Sequence, residues 1–223
     1  MHGSPKESSF RIGYFKGGRV IAPALFFSHP PPVNLLPRDG VVEYLGRVFS
    51  REESAALFDE LLTTSPWQCD EVILFGQKRI LTRKVAWMGD EGFTYSYSGT
   101  SKKASPWTPP LLGIRARVES LCGQGFNSCL LNLYHDGSEG MGWHSDDEKT
   151  LGRNPVIASV SFGAERPFRF KHRATKEVIP LILENGSLLV MKGETQHHWL
   201  HTLPKTRKVI SPRINLTFRS FAG

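Results

Sequence analysis

Between Ser128 and the C-terminus, the chain is a series of short apolar runs separated by turn residues. The runs predict strands at Val156–Phe162, Phe168–Phe170, Val178–Leu183, Ser187–Met191, Trp199–Leu203 and Ile214–Phe218. The breaks between them fall at Gly163, Ala174-Thr175, Asn185-Gly186, Lys192-Gly193 and Pro204. Many short strands at spacings of about 8–12 residues are typical of a sandwich or jelly roll, not of a parallel α/β sheet. We therefore predict a mainly β fold.

The region before these strands predicts flanking helices. Ser50 and Glu53 form a capping box, and apolar residues follow at helical spacing. A second helix is predicted for residues 109–122, where Pro opens the helix and Gly follows its end. Residues 1–38 are rich in Gly, Ser and Pro and predict a flexible extension, which leaves residues 39–223 as one α+β domain.

Charge and cysteine content narrow the class of protein. The formal net charge is +7, but residues 1–38 hold five basic residues and one acid, so the overall charge is a weak argument for nucleic-acid binding. Three irregularly spaced cysteines argue against a disulfide framework or a structural zinc site and favour a reducing, intracellular compartment. No apolar stretch approaches the length of a membrane span, so we expect a soluble protein without membrane contact.

A possible metal site begins at Trp143-His144-Ser145-Asp146. If this segment is a strand, the side chains of His144 and Asp146 point to the same face. With a distant histidine they would form the 2-His-1-carboxylate triad of non-haem Fe(II) oxygenases. His197, His198 and His201 are candidates for the third ligand, and His172 is a poorer one. Most His-x-Asp triplets are surface residues or hydrogen-bonded pairs, so the triplet alone decides nothing.

The C-terminal strand has one polar face, made of Arg213, Asn215, Thr217 and Arg219. Arginine binds carboxylates through two hydrogen bonds and keeps its charge at physiological pH. Two arginines and an amide on one face therefore suit a dicarboxylate held at both ends. The alternative is an exposed polar face, which would not need arginine at both ends.

Residues 71–104 interleave basic and aromatic side chains. Nucleic-acid surfaces use this combination because bases stack and phosphates pair with cations. The alternative is an ordinary β-hairpin with one buried face, and the pattern alone favours the hairpin.

Taken together, these segments resemble the AlkB family of Fe(II)- and 2-oxoglutarate-dependent dealkylating dioxygenases, and among them the branch that repairs duplex DNA. The resemblance covers about residues 40–221 and rests on NLY, WHSDDE, PVIASVSFGAER, HWLHTLP and PRINLTFR, in that order. It implies a double-stranded β-helix (jelly roll). It also implies His144, Asp146 and His201 as iron ligands, and as 2-oxoglutarate contacts Asn132, Tyr134, Arg213, Asn215 and Arg219.

The resemblance also implies substrate contacts. Residues 71–104 correspond to a nucleotide-recognition lid. Within and near it, Trp87, Tyr95, Tyr97 and Ser98 match positions that line the base pocket, and Asp147 and Glu148 match positions that meet the damaged base. Phe75 resembles a wedge pushed into the base stack, and Arg83 a basic finger. Tyr97 departs from the family pattern, which often has Phe there.

The activity implied by the resemblance is oxidative demethylation of bases of the 1-methyladenine or 3-methylcytosine type, with Fe(II) as cofactor and 2-oxoglutarate and O2 as co-substrates. We expect alkylated DNA as partner, duplex and also single-stranded, with RNA as an alternative substrate, and a monomeric enzyme. It would act in the cytoplasm or nucleoid of a bacterium, or in the nucleus or an organelle of a eukaryote. Two other hypotheses are an oxygenase acting on protein or small molecules and a non-catalytic jelly-roll binding module. The first leaves residues 71–104 unexplained, and the second requires the triad and both arginines to coincide by chance.

Overall fold

The computed structural model describes residues 33–74, 77–91, 94–97 and 100–221. Its strands are β1 (Val41–Arg47), β2 (Gln68–Leu74), β3 (Gln77–Gly89), β4 (Thr94–Tyr97), β5 (Thr100–Lys103), β6 (Ser128–Tyr134), β7 (Met141–His144), β8 (Ile157–Gly163), β9 (Arg166–His172), β10 (Val178–Leu183), β11 (Ser187–Lys192), β12 (Trp199–Leu203) and β13 (Arg213–Arg219). The helices are α1 (Arg51–Thr64), α2 (Pro109–Cys122) and the short α3 (Thr195–His198), with one 3-10 turn at Lys149–Leu151. The predicted mainly β class is confirmed.

The strands form two large antiparallel sheets. One has seven strands in the order β1-β11-β8-β13-β6-β3-β2, and the other has four in the order β10-β9-β12-β7. Along the chain from β6 to β13, successive strands alternate between the two sheets except at the β9–β10 hairpin. This connectivity is the predicted double-stranded β-helix. Strands β4 and β5 form a separate two-stranded sheet.

The two faces of β13 show how the sequence pattern builds the interior. Ile214, Leu216 and Phe218 are fully buried in a core shared with apolar residues of α1 and α2, so the helices cover this face of the seven-stranded sheet. Arg213 and Asn215 belong to the opposite face, where they line a cavity between the sheets together with residues of β12. The alternation of side chains along β13 thus places its apolar residues in the hydrophobic core and its polar residues in the cavity.

Both main helices begin and end as their sequences predict. The Ser50 hydroxyl accepts the Glu53 N–H at 3.1 Å, and the Glu53 carboxylate accepts the Ser50 N–H at 2.8 Å, which completes the capping box. Helix α2 has Pro109 in its first turn and ends at Gly123, whose φ of 63° is a left-handed conformation that glycine adopts without strain.

The packed structure begins before residue 39, where the sequence placed the domain boundary. Leu36 is buried against the core, and the Arg38 carbonyl accepts a hydrogen bond from the Trp199 indole at 3.0 Å. The Asn34 side chain accepts the N–H of Val42 at 2.8 Å. Residues 34–38 therefore belong to the fold, because an apolar side chain and a buried indole N–H each gain a partner there. Residues 1–32 lie outside the described part of the chain.

The predicted lid segment contains two hairpins, β2–β3 and β4–β5. Strand β3 pairs along its second half with β6, so this hairpin extends the seven-stranded sheet. None of the helices in the described ranges has the length and apolar character needed to cross a bilayer.

Candidate metal and co-substrate site

The pairing of two strands brings His144 and His201 together. The two residues are cross-strand partners on β7 and β12, and their ring centroids lie 4.2 Å apart. Asp146 supplies a third ligand atom, and the three candidate ligand atoms lie within 4.8 Å of one another. The structure therefore gathers the three residues that the resemblance implied as iron ligands.

Asp146 does not reach this cluster by strand alternation, as the sequence pattern suggested. Strand β7 ends at His144, and Asp146 lies in the loop that follows. Two contacts hold it instead. Its backbone N–H donates to the Gln196 side chain at 2.9 Å, and its carboxylate accepts from the Arg219 guanidinium at 2.8 Å.

The protonation states of these groups suit a divalent cation. Burial would raise the pKa of the Asp146 carboxyl, but the charges of Arg219 and of the two histidines outweigh it and lower that pKa to about 2. Burial lowers the pKa of His201 to about 3, so its imidazole is neutral at pH 7. The Nδ1 of His144 lies 2.9 Å from the Gly142 carbonyl, a contact that assigns the proton to Nδ1 and leaves Nε2 as a donor for metal. Neutral imidazoles and one carboxylate are ligands that Fe(II) accepts.

The other candidate histidines have different partners. His197 lies 3.1 Å from the Asn154 side chain, and His198 lies 3.7 Å from the Glu194 carboxylate. His172 forms a second group with Asp39 and His198, also close enough to suggest a metal site. However, Nδ1 of His172 accepts the Thr175 N–H at 3.1 Å, so Nε2 carries the proton and donates to Asp39. A ring with both nitrogens occupied is not a metal ligand.

Beside the triad lies a cavity of about 70 Å³ that the triad and Arg213 line together. Arg213 is almost fully buried and donates through one nitrogen to the Ser161 hydroxyl at 2.9 Å and the Asn215 amide oxygen at 2.8 Å. Its Nε and Nη1 have no hydrogen-bond partner among the described residues, and neither has the amide oxygen of Asn132. Burial lowers the pKa of Arg213 to about 10, although the nearby Tyr134 opposes this.

This cavity fits the carboxylate of a small dicarboxylate. A buried guanidinium with two unpartnered nitrogens leaves a costly deficit, which a carboxylate accepting from the guanidinium would reduce. Tyr134 packs beside it, with its ring centroid 5.5 Å from the Arg213 guanidinium carbon. Asn215 bridges Arg213 to Ser159 and Thr217, so its role in this arrangement is to orient the guanidinium.

A larger cavity of about 390 Å³ opens on the other side of the triad. Both cavities are lined by His144, Asp146 and Arg219, so they meet at the candidate metal position. The wall of the larger cavity contains four carboxylates and two guanidiniums, those of Asp70, Glu71, Asp146, Glu148, Arg83 and Arg219. Trp87 and Phe221 add aromatic surface, their rings meeting edge to face at 6.4 Å. With these side chains ionised the wall is net negative, which favours a flat cationic guest.

Comparison with known proteins identifies the family. Residues 41–219 match the model of the 2OG-Fe(II) oxygenase superfamily. The chain is 42% identical over 183 residues to the DNA oxidative demethylase ALKBH2 of Bos taurus, a match that spans 77% of this chain and 66% of the bovine protein. The human protein of that name is 41% identical over 183 residues, spanning 77% of this chain and 70% of the relative. The human alpha-ketoglutarate-dependent dioxygenase alkB homolog 3 is 37% identical over 183 residues, with 76% and 62% coverage.

The chain belongs to the AlkB family. It is therefore a dioxygenase of the 2OG-Fe(II) oxygenase superfamily, and this membership implies Fe(II) and 2-oxoglutarate. Among solved structures, OsALKBH1 has a TM-score of 0.61 at 15% identity, over 83% of this chain and 99% of the other. That likeness supports the fold.

The AlkB resemblance implied several substrate contacts, and the structure places some of them on the larger cavity and others away from it. Trp87 and Glu148 line the larger cavity. Asp147 does not line it; its exposed carboxylate lies 3.9 Å from the Arg173 guanidinium, because the loop turns it away from the site. Arg83 is not an exposed finger. It is buried in an ion pair with Asp70 and forms part of the cavity wall.

The remaining predicted contacts stay predictions. Phe75 and Ser98 lie outside the described residues, and for Tyr95 and Tyr97 the structure describes only the backbone of β4.

Sequence reasoning missed five residues of this AlkB site. Gln196 and Asp70 hold Asp146 and Arg83 through the contacts given above. Arg166 is completely buried and donates to the carbonyls of residues 136, 137, 139 and 204, which fastens the loop before β7 to the end of β12. Arg166 directly precedes the strand-like segment PFRF (residues 167–170), and nothing in a single sequence marks an arginine there as buried. Ser159 and Ser161 had a signal, since they alternate with apolar residues in β8 and so share the polar face.

Proposed function

We propose that this AlkB-family enzyme demethylates N-alkylated bases in DNA, and so repairs alkylation damage by direct reversal. The observation that carries the proposal is the meeting of two cavities at the His144–Asp146–His201 cluster, one ending at a buried guanidinium and one large enough for a base. The relatives named DNA oxidative demethylase, at about 40% identity, support DNA as the substrate.

In this proposal each side chain of the smaller cavity has a defined task. His144, Asp146 and His201 would hold Fe(II) and leave coordination positions for co-substrates. Arg213 would pair with a carboxylate of 2-oxoglutarate, and Asn132 and Tyr134 would help to orient it. When bound, Fe(II) and 2-oxoglutarate supply the oxidising equivalent from O2, with succinate and CO2 as products.

The larger cavity receives the damaged base. A stacked base cannot reach a buried metal, so the nucleotide must leave the helix. Methylation at a pairing position weakens the base pair and adds a positive charge, and both effects favour transfer into an aromatic, net negative cavity. Trp87 supplies aromatic surface and Glu148 supplies negative charge. The methyl carbon is hydroxylated and then lost as formaldehyde, which restores the base.

The basic β2–β3 hairpin supports a nucleic-acid substrate over a protein or small molecule. The β2–β3 hairpin carries basic side chains, including the exposed Arg79, beside the cavity wall formed by Glu71 and Arg83. Phosphates pair with such a surface.

The monomeric state and the reducing intracellular compartment are part of the same proposal. The three cysteines are free thiols in the structure, which agrees with a reducing compartment.

The experiment that tests this proposal is incubation with oligonucleotides carrying one 1-methyladenine, in the presence of Fe(II), 2-oxoglutarate and ascorbate. Product mass is read on single-stranded DNA, duplex DNA and RNA of the same sequence. We expect loss of one methyl group from DNA. Loss from RNA alone would move the substrate to RNA, and no loss from any strand would refute the nucleic-acid assignment.

A further inference from the structure

Gln196 links the two segments that carry the candidate metal ligands. It lies in α3, the four-residue helix between β11 and β12, and His201 follows five positions later on β12. Its side chain is buried to 99% and reaches across the chain to residue 146, fifty positions away. Buried amides are hydrogen-bonded in native proteins, and the partners of this amide show what it holds.

The orientation of the Gln196 amide follows from its two neighbours. On one side the Asp146 N–H can only donate, so the amide oxygen must face it, at 2.9 Å. On the other side the amide NH2 faces the Met191 sulfur at 3.4 Å, which is a weak acceptor. The strong bond of this side chain is therefore the one to the backbone of Asp146.

This bond is one of two contacts that fix the position of Asp146. Gln196 fixes the backbone at the point where the chain leaves β7, and Arg219 fixes one carboxylate oxygen at 2.8 Å. The other carboxylate oxygen then lies 3.9 Å from Nε2 of His144. Without the Gln196 bond, Asp146 would be held by its carboxylate contact with Arg219, and the loop by the contacts of Arg173 with Ser145 and Asp147.

We infer that Gln196 is a positioning residue for the metal centre, which acts by fixing the direction of the Asp146 carboxylate. The inference rests on the metal role proposed above for Asp146. Groups that hydrogen-bond to metal ligands without contacting the metal typically contribute about 10–100-fold to metal affinity. We expect loss of the Gln196 acceptor to lower metal affinity by about that factor, while the metal-free fold changes little.

The test compares Mn(II) binding, measured by electron paramagnetic resonance titration of the full chain, in the wild-type protein and four variants. Gln196→Met removes the acceptor at nearly constant volume, and Gln196→Leu does so with a shorter side chain if the Met variant fails to fold. Gln196→Glu keeps an acceptor oxygen. His197→Ala, an exposed neighbour on the same helix, is the matched control. The melting temperature of each metal-free protein is recorded as well.

We expect weaker Mn(II) binding by about 10–100-fold in Gln196→Met and Gln196→Leu, stronger binding in Gln196→Glu than in either, and wild-type binding in His197→Ala. Wild-type Mn(II) affinity in the acceptor-free variants overturns the inference, and a lowered metal-free melting temperature with unchanged affinity shows a purely structural role. A wild-type protein that binds no Mn(II) would refute the metal role of Asp146 and the inference together. Mn(II) binding by the wild type with unchanged affinity in the acceptor-free variants would refute only the role of Gln196.

Discussion

Replacing Arg213 with Met should separate co-substrate binding from folding. Arg213 is a buried cation without a carboxylate partner among the described residues, which is an expensive arrangement unless a ligand completes it. The account assigns that role to 2-oxoglutarate. Methionine is uncharged, and its flexible unbranched side chain fills the space of the arginine stem, so the variant removes the ligand contact while keeping most of the packing.

The expected effect on folding is small because two contributions oppose each other. Burial lowers the pKa of Arg213 to about 10, and at pH 7 this shift corresponds to about 3 kcal/mol by which the charge destabilises the ligand-free fold. The bonds to Ser161 and Asn215 each contribute about 1.5 kcal/mol in the other direction. The sum is near zero, so the melting temperature of the ligand-free protein should move by less than about 4 °C.

The expected effect on the co-substrate is large. Charge-assisted bonds from the Arg213 guanidinium to the two oxygens of a carboxylate contribute about 1.5 kcal/mol or more each. Their loss should raise the KM for 2-oxoglutarate by about 100-fold or more. The assay measures succinate formation over a range of 2-oxoglutarate concentrations, and a thermal melt is recorded with and without 2-oxoglutarate and Mn(II).

Arg166 provides the matched control, since it is equally buried but donates to backbone carbonyls. Arg166→Met leaves those acceptors unpaired at about 1–3 kcal/mol each, so the ligand-free protein should melt about 10 °C lower. An Arg213→Met variant that melts as low as the Arg166 variant and keeps its KM would refute the reasoning, because Arg213 would then be a structural residue.

Three further predictions concern single residues, two from the same geometry and one from the AlkB resemblance. His201→Ala should abolish turnover while His198→Ala remains active, measured as demethylation rate, and the reverse result would overturn the ligand assignment. Burial lowers the pKa of His201 to about 3, so between about pH 6.5 and pH 3 the unfolded state binds more protons than the folded state. The metal-free protein should therefore lose about 1.4 kcal/mol of stability for each unit by which the pH falls from 6 to 4 through this group. Denaturant titrations should show a shallower pH dependence in His201→Ala, and equal slopes would contradict the assigned pKa. Phe75→Ala should lower activity on duplex DNA far more than on single strands with an unchanged melting temperature, because an inserted ring matters only where stacking is intact; equal losses with a drop in melting temperature would make Phe75 a core residue.

Much of the fold could be predicted because its signals are local. The capping box at Ser50 and the Pro109 start of α2 depend on neighbouring residues, and each apolar run of the second half became a strand near its predicted place. The start of the domain was less predictable. Leu36 is buried by residues far along the chain, which no local pattern reveals.

In the site, periodicity succeeded where strands are long and failed where they end. The polar face of β13 was read correctly from alternation, because seven residues stay in one strand. Asp146 lies beyond the end of β7, so alternation gave a wrong reason for its position. Residue patterns left His197, His198 and His201 open and only the family resemblance implied His201, because the deciding contact is its cross-strand pairing with His144. The burial of Arg83 likewise depends on a long-range contact, its ion pair with Asp70.

The most direct test of the central claim is the ratio of succinate formed to methyl groups lost in a single reaction on duplex DNA carrying 1-methyladenine. If the two cavities serve one reaction centre at His144, Asp146 and His201, the wild-type protein should give one succinate for each repaired base, and Asp146→Ala should give neither product. Methyl loss without 2-oxoglutarate, or succinate formation that DNA does not stimulate in the wild-type protein, would contradict the account.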